Sequence, residues 1–360
     1  MAWPDRRLID LFGIEHPIVL APMAGAMDEA LAIEVARAGG LGSLPSALLN
    51  ADKLRAQVAA FRAGAPGKPV NLNFFVHKPA VPNNAREHAW REALKPYYEE
   101  LGIDPSAPVP MSNRAPFDAP LCEVVEDVKP RVVSFHFGLP EKALLDRVKA
   151  AGCLVIGAAT TVAEARWLEE GGCDVVIAQG TEAGGHRGHF LSDDLAMQPG
   201  TFALVPQVVD AVKVPVIAAG GIGDARGIVA ALALGASAVQ IGSAFLHCPE
   251  SKILAPHRAA LKSARDDSTV VTNVMTGRPA RGIVNRVMRE LGPLSPLAPQ
   301  FPLAGGALAP LHAKAQAKGS GDFSSMWAGQ AAGLGRDLPA RELTLKLAEE
   351  AQVLMRRMAG

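Results

Sequence analysis

The sequence predicts an α/β protein of the (β/α)8 TIM-barrel type, with a smaller loop and helix cap domain inserted near the C-terminus. Three observations predict it. Short apolar runs alternate with helix-like stretches through the first 250 residues, and eight such strand–helix units can be placed there. Several runs, among them Leu154–Ala159, Val175–Ala178 and Pro215–Ala219, are apolar throughout. Strands buried on both faces of a helix-covered parallel sheet have this character. Glycine-rich joints (AGC, GGCD, LGAS) stand where a helix must stop and the next strand begin. A doubly wound open sheet is the runner-up for the same pattern.

Taken in order, Ile18–Leu20 is the first strand, followed by a helix over Glu29–Ala38 that stops at Gly39-Gly40. Leu41–Leu44 is the second strand, with a helix over Ala51–Arg62. Val70–Val76 is the third and Pro130–Phe137 the fourth, the latter followed by helix Glu141–Ala150. Cys153–Ala159, with helix Val162–Glu170, is the fifth. Cys173–Ala178 is the sixth. Val214–Ala219, with helix Asp224–Leu234, is the seventh, and Ala238–Ser243 is the eighth. Two stretches break the period. Residues 77–116 are proline-rich with a helical piece over Asn84–Leu101, an excursion after the third strand. Residues 251–335 show no convincing strand and many Gly/Pro turns, and are expected to form the cap. The leucine spacing of Pro339–Met358 predicts a final helix that packs back on the barrel. The division expected is a barrel over 1–250, completed by helix 339–358, and a cap over 251–335.

Composition narrows the function. The 360 residues include 36 basic and 36 acidic side chains, so the formal net charge is zero, and 49% are apolar. A disordered chain is excluded. Balanced charge with no Lys/Arg block argues against nucleic acid or an anionic membrane as partner. Met1–Asp10 lacks a signal-peptide core. The longest near-continuous apolar run, Ile228–Val239, is too short to span a bilayer. The four cysteines (Cys122, Cys153, Cys173, Cys248) form no C-x-x-C pair, so no metal site is expected and they read as reduced core thiols of a cytoplasmic protein.

In a barrel the working residues follow the C-terminal ends of strands. After the seventh strand comes Ala219-Gly220-Gly221-Ile222-Gly223-Asp224, and around the end of the eighth Gln240-Ile241-Gly242-Ser243. Both loops offer bare backbone amides to an anion such as phosphate. After the sixth strand stands Gln179-Gly180-Thr181-Glu182-Ala183-Gly184-Gly185-His186-Arg187-Gly188-His189. Here a histidine is set in glycine, able to face a planar ligand and to move a proton near neutral pH. His189 reads as structural. Ala21-Pro22-Met23, after the first strand, could carry a flat ring on backbone. Asn71 and Asn73, two residues apart on the third strand, share a face and suit the mixed donor and acceptor edge of a heterocycle. His136 ends the fourth strand and is a second candidate catalytic residue.

These segments resemble the nitronate monooxygenase family (formerly 2-nitropropane dioxygenases), which uses FMN. The likeness is carried by APMAG at Ala21, NLNFF at Asn71, AQGTEAGGHRG at Ala178, AAGGI at Ala218, QIGSAF at Gln240, TGRPAR at Thr276 and WAGQ at Trp327. It implies FMN at the barrel mouth. Ala21–Met23 would lie behind the isoalloxazine ring and Asn73 or Asn71 at its pyrimidine edge. Gln179, Gly184 and Gly185 would line the flavin. Gly220, Gly221 and Gln240–Ser243 would hold the phosphate end. His186 matches the catalytic base. The implied partners are a small alkyl nitronate or nitroalkane and O2, with a homodimer admitted. One departure stands out: both tyrosines, Tyr97 and Tyr98, fall in the early excursion, and none lies in the C-terminal part. Related flavin enzymes that reduce quinones or enoyl thioesters with NAD(P)H are similar around the Gly-Gly-His segment and are the alternative.

Overall fold

The computed structural model describes residues 3–110 and 114–360. Its strands are β1 (Ile18–Leu20), β2 (Gly42–Pro45), β3 (Val70–Phe75), β4 (Val132–His136), β5 (Leu154–Ala159), β6 (Val175–Gln179), β7 (Gly185–His186), β8 (Val216–Ala219), β9 (Ala238–Ile241), β10 (Thr269–Thr272) and β11 (Ala280–Ile283). Its helices are α1 (Arg7–Phe12), α2 (Glu29–Arg37), α3 (Ala51–Gly64), α4 (Asn84–Leu101), α5 (Ala119–Val128), α6 (Lys142–Ala150), α7 (Val162–Glu170), α8 (Thr201–Ala211), α9 (Ala225–Ala233), α10 (Ser243–Leu246), α11 (Ala255–Lys262), α12 (Arg286–Glu290), α13 (Ala304–Ala317) and α14 (Ala340–Met358). No helix among the described residues is long and apolar enough to cross a membrane.

Eight strands pair in parallel in the order β1-β9-β8-β6-β5-β4-β3-β2. The ring closes at Leu41, just before β2. Leu41 N–H donates to the Ile18 carbonyl at 2.9 Å, and its own carbonyl accepts from Leu20 N–H at 3.0 Å. The barrel expected from the sequence is therefore the barrel formed, and the open sheet is excluded. Polar side chains in the loops after the strands start the helices. Asp28, Asn50, Thr161 and Asp224 each accept a first-turn amide of α2, α3, α7 and α9, satisfying donors that have no intrahelical partner. Helix α7 stops at Gly171-Gly172, where Gly172 takes φ +97°, a conformation costly to any residue with a Cβ.

Alternation on β3 and β4 separates two environments. Phe74 and Phe135 face outward and meet Phe117, at ring-centroid distances of 4.7 and 5.2 Å. Asn71, Asn73, Phe75, Ser134 and His136 share the opposite, inner face. There Asn71 donates to Ser43 Oγ at 3.0 Å and Asn73 to Ser134 Oγ at 2.9 Å.

The structure corrects the sequence reading in three places. Residues 251–335 do contain strands: β10 and β11 form an antiparallel hairpin, and β11 pairs in turn with β7. The four-residue strand TVVT is β-branched, but its length gives no periodicity to detect. Helices α5 and α8, which were not assigned from the sequence, complete the strand–helix alternation after β3 and β6. A proline lies inside each sequence run, at Pro120 in the first turn of α5 and Pro206 within α8. The third correction concerns the two breaks in the period, which form one structure. Trp90, Leu94, Tyr97 and Tyr98 of α4 share a buried cluster with Val274, Met288, Leu308 and Phe323. Trp90 Nε1 donates to the Ala304 carbonyl at 3.1 Å, and Tyr98 Oη to the Ala307 carbonyl at 2.5 Å. Helix α14 buries Leu343, Leu347 and Ala351 in the barrel's own cluster.

Trp90 is almost fully buried in this shared cluster. Trp90→Ala is expected to cost about 3–5 kcal/mol of stability. Urea unfolding followed by circular dichroism would measure it, and a loss within the noise of the midpoint would contradict the single cap core.

Candidate active site

The C-terminal strand ends keep accessible surface that the strand bodies lack. On β9, Val239 and Ile241 are fully buried, yet Gln240 between them is only half-buried. Ala21, Pro22, Met23, Gly220, Gly242 and Ser243 are half-buried as well, and Gly221 is exposed. The residues predicted to meet a cofactor thus keep accessible surface together at this end of the barrel. Small side chains make its floor. A Cβ on Gly242 would lie 3.3 Å from Ala21 Cβ and 3.6 Å from Met23 Sδ. After β8 the chain turns through Gly220 and Gly221, at φ +110° and +70°, a path open to glycine. Glu182 lies against Gly221, but its carboxylate is occupied. It accepts the Thr201 amide at 2.8 and 2.9 Å and the Thr201 hydroxyl at 2.8 Å, and so caps α8.

His186 reaches the mouth on β7, which pairs with the cap hairpin at Ala280. Its carbonyl accepts from His136 Nε2 and from Gln179 Nε2, both at 3.1 Å. Gln179 Oε1 also accepts the Gly188 amide at 2.8 Å. The structure thus commits Gln179 and one nitrogen of His136 to holding the chain that bears His186. The His186 ring bonds Thr276 Oγ1 through Nε2 at 2.9 Å. Four aromatic rings surround it: Phe301 at 5.3 Å, Trp327 at 5.5 Å, and Phe75 and Phe137 at 6.0 Å. The guanidinium of Arg278 lies 4.1 Å from the centre of the Phe137 ring, within cation–π range, and donates to the His189 carbonyl.

The predicted amides differ in surroundings. Asn73 is paired with Ser134. Asn71 donates to Ser43, but its buried Oδ1 has no hydrogen-bond partner, and an orphaned buried acceptor calls for a donor. Gly184 is pressed against the cap: a Cβ there would lie 2.5 Å from Gly329 N. That Gly329 amide donates to Ser243 Oγ at 2.8 Å, so the cap also ties down the loop after β9. Gly185, at φ +73°, has open space beside it. His189 is buried with Nε2 3.5 Å from Asp193. Tyr97 and Tyr98 are in the cap cluster. Thr276, Arg278, Phe301 and Trp327 were not predicted as site residues. The motifs around Thr276 and Trp327 were visible in the sequence, but nothing local says that they cover a histidine from another loop. Among the described residues no group of three or more His, Cys, Asp or Glu is placed to hold a metal.

Electrostatics keep the site's histidines neutral. Burial pushes His186 well below the usual 6.5, and the guanidinium charges of Arg114 and Arg278 push the same way. Burial is likewise the main cause for His136, lowered to about 3, and for His77, His189 and His257, lowered to about 4. Unfolding frees these rings to bind protons near pH 6.5. Stability is therefore full above that value and declines as pH falls from 6.5 toward 4. The slope is about 1.4 kcal/mol per pH unit for each ring. Urea midpoints between pH 7 and 4.5 should fall steadily, and His136→Phe should flatten the fall; a pH-independent midpoint would refute the buried, neutral assignment.

Residues 5–350 match the family described as nitronate monooxygenase. The chain is 45% identical to a nitronate monooxygenase from Pseudomonas aeruginosa over 348 residues, which cover 96% of this chain and 98% of the relative. It is 43% identical to a nitronate monooxygenase from Paraburkholderia phytofirmans, covering 96% of this chain and 94% of the relative. Its fold is similar to the crystal structure of a nitroalkane oxidase from Streptomyces ansochromogenes, with a TM-score of 0.86 at 37% identity over 97% of this chain and 99% of the other. FabK from Thermotoga maritima is more distant, with a TM-score of 0.74 at 30% identity over 98% of both chains. A barrel mouth built on a glycine-set histidine and a match along nearly the whole chain place this protein in the nitronate monooxygenase family.

Proposed function

We propose that this chain is an FMN-dependent, cytoplasmic nitronate monooxygenase that oxidises alkyl nitronates with O2 to carbonyl compounds and nitrite, and that also accepts neutral nitroalkanes. The observation that carries the reading is the half-buried His186, fixed through its carbonyl by His136 and Gln179 beside the glycine loops of the barrel mouth. The residues present fit a flavin. Asn71 Oδ1 is a buried acceptor in need of a donor such as a ring N–H. Ala21, Pro22, Met23 and Gly242 leave a flat, side-chain-poor surface. Gly220, Gly221 and Gln240–Ser243 offer backbone for a phosphate end, with Gln179, Gly184 and Gly185 beside it. Bound there, FMN would accept electrons from the nitronate and make O2 chemistry available. We assign the working parts to a barrel over 1–250 with helix 339–358, and to a cap over 251–335 joined by α4.

The chain's own part is to bind, desolvate and deprotonate. A nitronate is already an anion and needs no base. A neutral nitroalkane must first lose its α-proton, and His186, neutral and facing the mouth, is the group to take it. Arg278 and Arg114 supply positive potential that favours the resulting anion. Phe75, Phe137, Phe301 and Trp327 exclude water around the imidazole and limit the room for the alkyl group. The resemblance of the Gly-Gly-His segment to flavin enzymes that reduce quinones or enoyl thioesters keeps one alternative, an NAD(P)H-dependent flavin reductase, and anaerobic addition of NADH separates the two: bleaching of the flavin would favour the reductase.

His186→Asn is expected to retain flavin and to lose nitroalkane turnover by about 10²–10⁴-fold, the usual worth of positioned proton transfer. Turnover of preformed nitronate, read by oxygen uptake and nitrite release, should hold far better. Equal loss on both substrates would sink the base assignment. Gly242→Val should yield a folded but colourless protein, because its side chain fills the floor between Ala21 and Met23; a variant as yellow as the parent would remove that floor from the flavin site.

A further inference from the structure

We infer that Thr276 is a positioning residue for the reaction: its hydroxyl holds the ring proton of His186 on Nε2 and so leaves Nδ1 as the base. The inference rests on the reading of His186 as the base. The ring has two nitrogens, and a neutral imidazole carries one proton between them. Nε2 lies 2.9 Å from Thr276 Oγ1, while no side chain or main-chain group of the described residues bonds Nδ1. Nδ1 is therefore the nitrogen left for substrate. It can accept a proton only when the existing one is on Nε2, which requires the threonine oxygen to act as acceptor.

The surroundings of Thr276 allow this orientation. Its own hydroxyl proton has another acceptor, the Arg278 carbonyl at 3.4 Å. The oxygen lone pairs are then free to face His186. The turn that carries Thr276 is fixed. Gly277 N–H donates to the Asn273 carbonyl at 2.7 Å, and Gly277 takes φ +89° where a Cβ would lie 2.1 Å from the Pro299 carbonyl. Thr276 itself is 2% exposed, so water does not compete for the bond. The choice of a hydroxyl over a carboxylate has a consequence. No carboxylate forms an ion pair with His186 among the described residues. A hydroxyl sets the tautomer without the added basicity that an anionic partner confers, and the imidazole stays uncharged beside the cations of the site.

The test uses the flavin-loaded full chain. Thr276→Ala, Thr276→Ser and His186→Asn are compared on nitroethane and on preformed ethyl nitronate. Loss of the partner on a histidine's far nitrogen costs about 10–100-fold where the ring ligates a metal, and the same range is expected for Thr276→Ala on nitroethane. Ethyl nitronate turnover should be nearly unchanged, and Thr276→Ser should restore nitroethane turnover. In the wild type, ¹⁵N NMR of labelled histidine, with His186 assigned by its loss in His186→Asn, should show the proton on Nε2. A proton on Nδ1 in the wild type would overturn the inference even if the alanine variant does not fold. So would selective loss in His186→Asn with no loss in Thr276→Ala, which leaves the base reading intact. Equal loss on both substrates in His186→Asn would instead overturn the base reading, and the inference with it.

Discussion

The carbonyl of His186 accepts two hydrogen bonds from the barrel, one from His136 on β4 and one from Gln179 on β6. The same residue pairs through its backbone with Ala280 of the cap. Most of the site's order descends from this arrangement. A loop of glycines has little conformational preference of its own, and a histidine placed on it would sample many positions. Two side chains from the barrel and one strand from the cap remove that freedom. The ring beyond the carbonyl is then delivered to one place, where Thr276 and four aromatic rings complete its surroundings.

Residues 251–335 take a direct part in this arrangement. The hairpin of β10 and β11 supplies the pairing strand and the turn that carries Thr276 and Arg278. The segment 327–330 packs its backbone on Gly184, reaches Glu182 through Gln330, and ties Gly329 to Ser243. Barrel loops that would otherwise be independent are cross-linked through the cap. Helix α4, far away in the chain, anchors that cap through Trp90 and Tyr98. The two tyrosines thus have a structural place in the cap, and the walls around His186 are phenylalanine and tryptophan.

Charge follows the same logic. The chain is neutral overall, but the buried site gathers Arg187, Arg278 and several histidines. Arg187 is 1% exposed and bonds the Gln179 and Gly180 carbonyls and Gln198 Oε1. Burial and these cations together hold the imidazoles uncharged. The potential felt by an anionic ligand is local, made by a few desolvated groups in a low-dielectric mouth, and the overall field contributes little.

The barrel strands, most helix starts and the loops that carry the candidate site were legible in the sequence, because each is written in adjacent residues. Apolar runs such as Val175–Ala178 declare strands buried on both faces. The helices predicted to begin at Glu29, Ala51, Val162 and Asp224 begin there to within one residue, and glycines flank the candidate base His186. The internal structure of residues 251–335, expected as a cap, was not legible in this way. Its strands are too short to show a period, and its core draws on α4 from another part of the chain. Nor could the sequence choose between Asn71 and Asn73, which lie on one face and differ only in what neighbouring strands bring to them. The partners of His186 were hidden for the same reason. Thr276 is 90 residues away in sequence, and only folding brings the two together. Local propensity and patterning determined the barrel and where its candidate site would lie; long-range packing, which no window of sequence encodes, decided which residues surround the imidazole.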